Sequence, residues 1–323
     1  MASDPRSAAI DAFARRHRYH GLEAVPWLIA VAGYFALPGY LPLGAQIFAT
    51  ILFVLSADLV LGYAGIVTLG QAAFFGTGAY TAGILAANGW GEPLSGLLAA
   101  SAVAAVVGFL SGLIILRTSG LALLMQTLVV ATTLYEAANK AGRWTGGDDG
   151  LSGMEVWPIF GLFRFDMFGR VAYFYCLVVL FVGWLVARQL VHSPFGRSLT
   201  GARENTARMH AIGAPVAFRR LIVYTISAAL AGASGALIAQ TTSFVGLTSL
   251  SLERSGNALI MLIIGGVGRL YGAFIGVPLF MIAQDRFSEV DPVYWYFWLG
   301  LLMVAVVVFA RGGVLGLFER FWR

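Results

Sequence analysis

The sequence predicts an all-α fold, a polytopic helical membrane protein. Of its 323 residues 59% are hydrophobic and 11% charged, and the mean hydropathy is +0.81. Its long runs are apolar on all sides for about twenty residues, the length a helix needs to cross the hydrocarbon core of a bilayer. The charged residues gather in the passages between those runs, as positive-inside sorting requires. A β-barrel would instead alternate apolar and polar residues over about ten positions. The formal charge of +5 reads as orientation: the arginines are spread over several loops, and no basic patch interleaves with aromatics as nucleic acid would require.

Residues 1–24 carry Arg6, Arg15, Arg16 and Arg18, with no apolar core or small-residue cleavage site of the signal-peptide kind. They are expected to stay inside as a cytoplasmic lead. His17 and His20 are three apart, but nothing beside them completes a set of metal ligands. Apolar runs follow near 25–42, 44–62, 66–88, 93–116, 119–138, 170–190, 220–241, 254–267, 271–285 and 293–311. They give about ten transmembrane, broken or re-entrant helices. The membrane domain thus spans 25–311, and 312–323 forms a cytoplasmic tail. With both termini inside, only Lys140, Arg143, Arg164, Arg170, Arg254 and Arg286 of the 21 Lys and Arg fall outside, which agrees with positive-inside sorting.

Asp58, in the second run, costs about 2.5–3.5 kcal/mol at a helix centre facing lipid, so it should turn toward the bundle or a cavity. Leading into and through the third run, Gly62, Gly65, Gly70, Gly76 and Gly78 make a continuous straight helix costly. Small residues fall at helical spacing in three runs: Ala72, Gly76, Ala79, Gly83 and Ala86; Ser101, Ala105, Gly108 and Gly112; Ala228, Gly232, Gly235 and Ala239. Such stripes let backbones approach closely in lipid, and packing alone accounts for most of them. Glu136 lies near the outer end of the fifth run and can reach water. Cys176 stands alone in an apolar run, so no internal disulfide forms.

The longest outer loop, 139–169, contains Trp144-Thr-Gly-Gly-Asp-Asp-Gly-Leu-Ser-Gly153. It lacks the EF-hand spacing and reads as a turn-rich surface loop. The cytoplasmic loop 191–219 is the most polar passage. From 188 to 220 it sets Arg188, Arg197, Arg203, Arg208, Arg219 and Arg220 against a single acid, Glu204. Pro194 and Gly196 end the preceding span, and Gly213 with Pro215 makes a stop. Between them the spacing predicts one short helix, with Glu204 and Arg208 at i,i+4 and Leu199, Ala202, Thr206 and Met209 on one face. A charged loop that merely orients the chain would also read this way.

Gly265-Gly-Val-Gly-Arg-Leu-Tyr-Gly272 is glycine-rich but lacks the Lys-Ser/Thr ending of a Walker motif, and Gly272-Ala-Phe-Ile-Gly276 is a small-residue packing motif. No acid, base and nucleophile cluster in sequence, so neither nucleotide hydrolysis nor a membrane enzyme is indicated. Paired acids and bases at membrane depth, the mark of a proton-driven carrier, are scarce.

Several of these stretches together resemble the LivM-type permeases, membrane subunits of branched-chain amino acid ABC importers. Carrying the resemblance are Phe195-Gly-Arg197, Ala202-Arg-Glu-Asn205, Gly213, Arg220-Leu-Ile and Ser227-Ala-Ala-Leu-Ala-Gly-Ala-Ser-Gly-Ala236. So do Gly62-Tyr-Ala-Gly65, Leu69-Gly70, Ala72-Ala-Phe-Phe-Gly76 and Gly78-Ala-Tyr80, the Thr145-Gly-Gly147 element, and the Gly265-Gly-x-Gly268 segment. Gln71 stands where the family usually has histidine, Asp58 where it more often has asparagine, and Arg208-Met209 where paired alanines are common.

The resemblance implies an ABC importer permease fold that moves branched-chain amino acids or a related small solute (urea, an amide or an aromatic acid) inward across a bacterial inner membrane. It implies that Arg203, Glu204, Asn205 and Gly213 dock an ATPase, that Asp58, Thr68, Gly70 and Gln71 lie on the translocation pathway, and that Gly146, Gly147 and Asp149 meet a periplasmic substrate-binding protein. The expected partners are a second permease subunit, two ATPase subunits, that binding protein and the lipid membrane. No cofactor or metal is expected on this chain; ATP and Mg belong to the ATPase subunits. The alternative is an ATP-independent channel or secondary carrier for a small polar solute, built on a similar bundle of broken helices.

Overall fold

The computed structural model describes residues 21–309 and 312–316, apart from 160, 162 and 167. Arg6, Arg15, Arg16, Arg18, His17, His20, Arg311, Arg320 and Arg323 lie outside the described residues, with most of the lead and of the tail. The helices are α1 (Val25–Ala36), α2 (Leu41–Asp58), α3 (Gln71–Ala87), α4 (Pro93–Ile115), α5 (Leu121–Lys140), α6 (Arg170–His192), α7 (Pro194–Glu204), α8 (Thr206–Ala211), α9 (Val216–Thr242), α10 (Leu252–Gly265), α11 (Gly272–Val290) and α12 (Trp295–Phe309). Each predicted apolar run holds one of them. A 3-10 turn precedes α2 and a π turn, Leu59–Tyr63, continues it, so that Pro38–Tyr63 is long and apolar enough to cross a membrane, as are α4, α5, α6 and α9.

At the centre α9 lies against α3, α4 and α2. Their close approach comes from the small residues: a Cβ on Gly78 of α3 would run into the backbone of Gly232, and one on Gly235 into the Phe75 carbonyl. The seam of α4 runs through Gly96, Ala100, Ala104, Gly108 and Gly112. Ser101 and Ala105, expected on it, sit one residue off it and are only half-buried. The opposite face of α4 exposes Leu98, Val106, Leu110 and Ile114, the apolar outside that lipid requires. Between helices that lipid would not drive together by hydrophobicity, such backbone contact supplies the packing.

Among the helices too short to span, α3 and α10 lie inside the bundle. The 17 residues of α3 and 14 of α10 reach about 26 Å and 21 Å at 1.5 Å per residue, against a hydrocarbon core of roughly 30 Å. Each is fed by a non-helical stretch, 64–70 before α3 and 243–251 before α10, the second containing only the 3-10 turn Leu247–Leu250. The glycine-rich start of the third run is therefore unwound, as its composition predicts, and α3 begins only at Gln71.

Candidate functional site: two half-helices, a cavity and a helical hairpin

The two unwound stretches meet inside the bundle. Ala72, at the start of α3, donates its backbone N–H to Ser255 Oγ at the start of α10 (2.9 Å). On the first side Leu69 N–H is taken up by Thr127 of α5 (3.3 Å) and Gly70 N–H by Thr68 (3.0 Å), so backbone freed from a helix is satisfied by side chains. Gln71 is buried and its Nε2 donates to Ser56 of α2 (2.9 Å) and Ser227 of α9 (2.8 Å). Ser227 in turn donates to the Ser56 carbonyl (2.6 Å). Ser227 is about 16 Å along α9 from Val216, in a helix of roughly 40 Å, so this polar node lies well inside the bundle.

Beside the junction opens a cavity of about 570 Å³. It is walled by Gln46, Thr50 and Phe53 of α2, the 243–251 stretch, one face of α10, and Phe280, Met281 and Gln284 of α11, with Tyr296 of α12. Glu253, Arg254, Asn257, Ala258 and Met261 supply the α10 wall, the last four at i, i+3, i+4 and i+7. Arg254 was expected in an outer loop. Because 243–251 descends without forming a helix, the structure sets it in the cavity wall, its guanidinium 4.5 Å from the centre of the Phe75 ring. Phe75 packs on Phe53, ring centres 4.9 Å apart. Asp58, Thr68, Gly70 and Gln71 do not line the cavity.

Asp58 is 1% exposed and turns toward the bundle. Its Oδ1 accepts the Gly268 backbone N–H (2.7 Å), joining the end of α2 to the turn between α10 and α11. Arg203 reaches the same place from α7: its Nη1 donates to the Gly62 carbonyl. Gly65 and Gly268 have positive φ and take their turns directly against the Arg203 side chain, where a side chain of their own would be strained and crowded.

The single helix expected in 191–219 is a hairpin of two, broken at Asn205, whose φ of −152° and ψ of 94° are extended. Asn205 caps α8 by accepting the Arg208 N–H (2.9 Å), and Ser193 caps α7 by accepting that of Gly196 (3.2 Å). Glu204 and Arg208 therefore stand on separate helices. Leu199 and Ala202 are buried, and Thr206 and Met209 half-buried, so the predicted apolar face exists but turns inward. Arg220 of α9 donates to Thr206 Oγ1 (3.2 Å). Gly213, at φ 77°, closes the hairpin with its N–H on the His210 carbonyl (2.9 Å). Outward it presents Glu204, Arg208, Ile212 and Phe218, the last two 71% and 61% exposed. Ile212 and Phe218 were missed in sequence, although an isoleucine just before Gly-Ala-Pro and a phenylalanine three residues after it, in so polar a passage, are themselves a signal.

At the opposite end, the described residues of 139–169 fold over the bundle. Leu151 and Val245 exchange backbone hydrogen bonds (2.8 and 3.0 Å), and Trp157 N–H binds the Gly91 carbonyl (2.8 Å). Gly146 and Gly147, both at positive φ, form the turn, with Gly147 buried; Asp149 is exposed beside them. Among the described residues no group of His, Cys, Asp and Glu could hold a metal ion.

Comparison with known proteins agrees with this architecture. The chain is 28% identical to the high-affinity branched-chain amino acid transport system permease protein LivM of Salmonella typhimurium over 315 residues, 89% of this chain and 73% of that protein. The Escherichia coli LivM is 28% identical over 81% of this chain and 66% of its own length. The autoinducer 2 import system permease protein LsrC of an Enterobacter species is 30% identical over 71% of this chain and 66% of its own. No solved structure matches. The model of the branched-chain amino acid transport system permease component family matches residues 41–307, and the chain, an all-α multi-pass membrane permease, belongs to that family.

Proposed function

We infer that this permease is the membrane subunit of an ABC importer driven by ATPases on separate chains, and that it moves branched-chain amino acids or a related small solute inward. The observation that carries the reading is the α7–α8 hairpin. It offers an outward surface of Ile212, Arg208 and Glu204 beside Phe218 of α9, and Arg203 ties it to the Gly62 carbonyl at the end of α2 and packs against the α10–α11 turn. An element that receives motion must combine an exposed docking face with a rigid inner attachment, and a charged orienting loop needs neither. Glu204 belongs to the docking face, Asn205 and Gly213 shape it, and Arg203 passes its displacement inward. Thr68, Gly70 and Gln71 shape the pathway where α3 starts, and Asp58 holds the turn that moves with it.

Positive-inside sorting puts the hairpin and both termini in the cytoplasm of a bacterial cell. The 139–169 loop then faces the periplasm, where Asp149, on the turn built by Gly146 and Gly147, is available to a substrate-binding protein. A second permease and two ATPase subunits complete the assembly. The test is to recover the tagged chain from native membranes in mild detergent and identify its companions by mass. A second permease with Walker-containing ATPases is expected. Recovery of this chain alone, with ATP-independent solute flux into liposomes, would refute the reading in favour of a channel or carrier.

A further inference from the structure

We propose that the cavity beside α10 is a solute site for carboxylates, with Arg254 as the residue that binds the carboxylate group. The inference rests on the importer reading and narrows its solute from amino acids, amides, urea or aromatic acids to those bearing a carboxylate. Arg254 follows Ser255's neighbourhood into the bundle: Ser255 Oγ holds the first turn of α3, and Phe75 lies under the guanidinium. A cation at such depth is costly unless it is paired or faces a polar cavity.

Among the described residues no carboxylate forms an ion pair with Arg254 and no acceptor hydrogen-bonds its guanidinium. The adjacent Glu253 shares the cavity wall, where its carboxylate accepts the Tyr296 hydroxyl (3.0 Å) and makes no ion pair with Arg254. The guanidinium thus rests over an aromatic ring in a residue that lines the cavity. From there an arginine can bind a carboxylate through two parallel hydrogen bonds.

The rest of the wall suits an amino acid or aromatic acid. Asn257, Gln46 and Thr50 offer polar groups, and Phe53, Met261 and Phe280 an apolar side. The 14-residue helix α10 begins here, capped by Ser251 (3.3 Å to the Arg254 N–H), and its N-terminal dipole adds to the attraction for an anion. The volume lies within the range of ordinary small-molecule sites. A neutral solute such as urea would give the guanidinium no ion-pair partner.

The test uses the whole complex, with its second permease, ATPases and binding protein, in liposomes. Uptake of radiolabelled L-leucine, L-phenylalanine, benzoate, urea and acetamide is compared for the native chain, Arg254→Gln and Arg254→Lys. ATP-driven uptake confined to carboxylates is expected, falling at least tenfold in Arg254→Gln and less in Arg254→Lys, with assembly and apparent Tm unchanged. Uptake of urea or acetamide by the native complex, or full carboxylate uptake by Arg254→Gln, would overturn the proposal. So would loss of the second permease from Arg254→Gln, which would make Arg254 the partner of an acid on that subunit. Recovery of this chain without ATPases would instead remove the importer reading on which the inference stands.

Discussion

Asp58 separates two accounts of a buried charge: a group that handles solute, or a latch that holds a turn. The structure favours the latch, because Oδ1 is spent on the Gly268 N–H at 2.7 Å and a Cβ on Gly62 would collide with both partners. Asp58→Asn keeps an oxygen in place for Gly268 and removes a charge that is expensive to bury, so apparent stability should hold or rise. Asp58→Ala also removes the carboxylate but leaves the Gly268 N–H buried without its acceptor, a penalty of about 1–3 kcal/mol. The informative quantity is the difference between the two variants, in which the cost of burying the charge cancels. At about 2–4 °C per kcal/mol for a large domain, Asp58→Ala should melt roughly 4–8 °C below Asp58→Asn for a 2 kcal/mol difference. Thermal unfolding of the purified subunit in detergent measures it, and ATP-driven uptake in liposomes should follow the same order, with Asp58→Asn near the native rate. Equal melting of the two variants would deny the bond to Gly268 any weight. Abolished uptake in Asp58→Asn at unchanged Tm would show that the negative charge itself serves transport.

Other expectations follow from the same contacts. Gln71→Leu removes hydrogen bonds to Ser56 and Ser227; at about 0.6 kcal/mol each in a membrane interior, stability should drop by roughly 1 kcal/mol, read by apparent Tm beside the uptake rate. Gly235→Ala forces α9 off the Phe75 carbonyl and should cost about 1–3 kcal/mol, whereas Gly256→Ala, with open space around its Cβ, should be neutral or stabilising by up to about 1 kcal/mol. Ile212→Asp with Phe218→Asp should lose the ATPases from the purified complex, while Arg203→Ala should retain them and yield less uptake per ATP hydrolysed. If Arg203→Ala also shed the ATPases, the arginine would be a docking contact and not an inner attachment.

The helices were legible because their signals are local. Apolar runs of membrane length, glycine clusters and small-residue stripes are written along single segments, and only the seam of α4 was misplaced, by one residue, because Ala100 and Ala104 fit the period as well as Ser101 and Ala105. Arg254 was not legible by the same rule. Next to Glu253 at the edge of an apolar run it reads as a loop charge, and its depth is set by where 243–251 goes. A signal existed: residues 241–252 contain no charge, unusual for a loop that lives in water. Asn205 likewise announced a helix start, yet the phase shared by Ala202, Thr206 and Met209 favoured one unbroken helix. Contacts between segments far apart, such as Arg203 with Gly62 or Asp58 with Gly268, arise from tertiary packing, and only the residue types were visible.

The placement of α10 explains how a hairpin outside the bundle could govern a cavity within it. Its final residue, Gly265, leads into the turn whose Gly268 is held by Asp58 and packed against Arg203. Its first turn carries Arg254 and Ser255, which face the cavity and α3. A helix of 14 residues is short enough to move as one rigid piece of about 21 Å, and both ends adjoin unwound backbone that can absorb a change of direction. Displacing the hairpin acts through Arg203 on the turn at one end and must shift Arg254 at the other unless α10 bends. A full-length spanning helix packed along both sides would resist this motion. Two half-helices meeting at Ala72 and Ser255 give a junction that opens by parting a hydrogen bond, not by breaking a helix, and ATP-driven transport requires a cheap step of that kind at the solute.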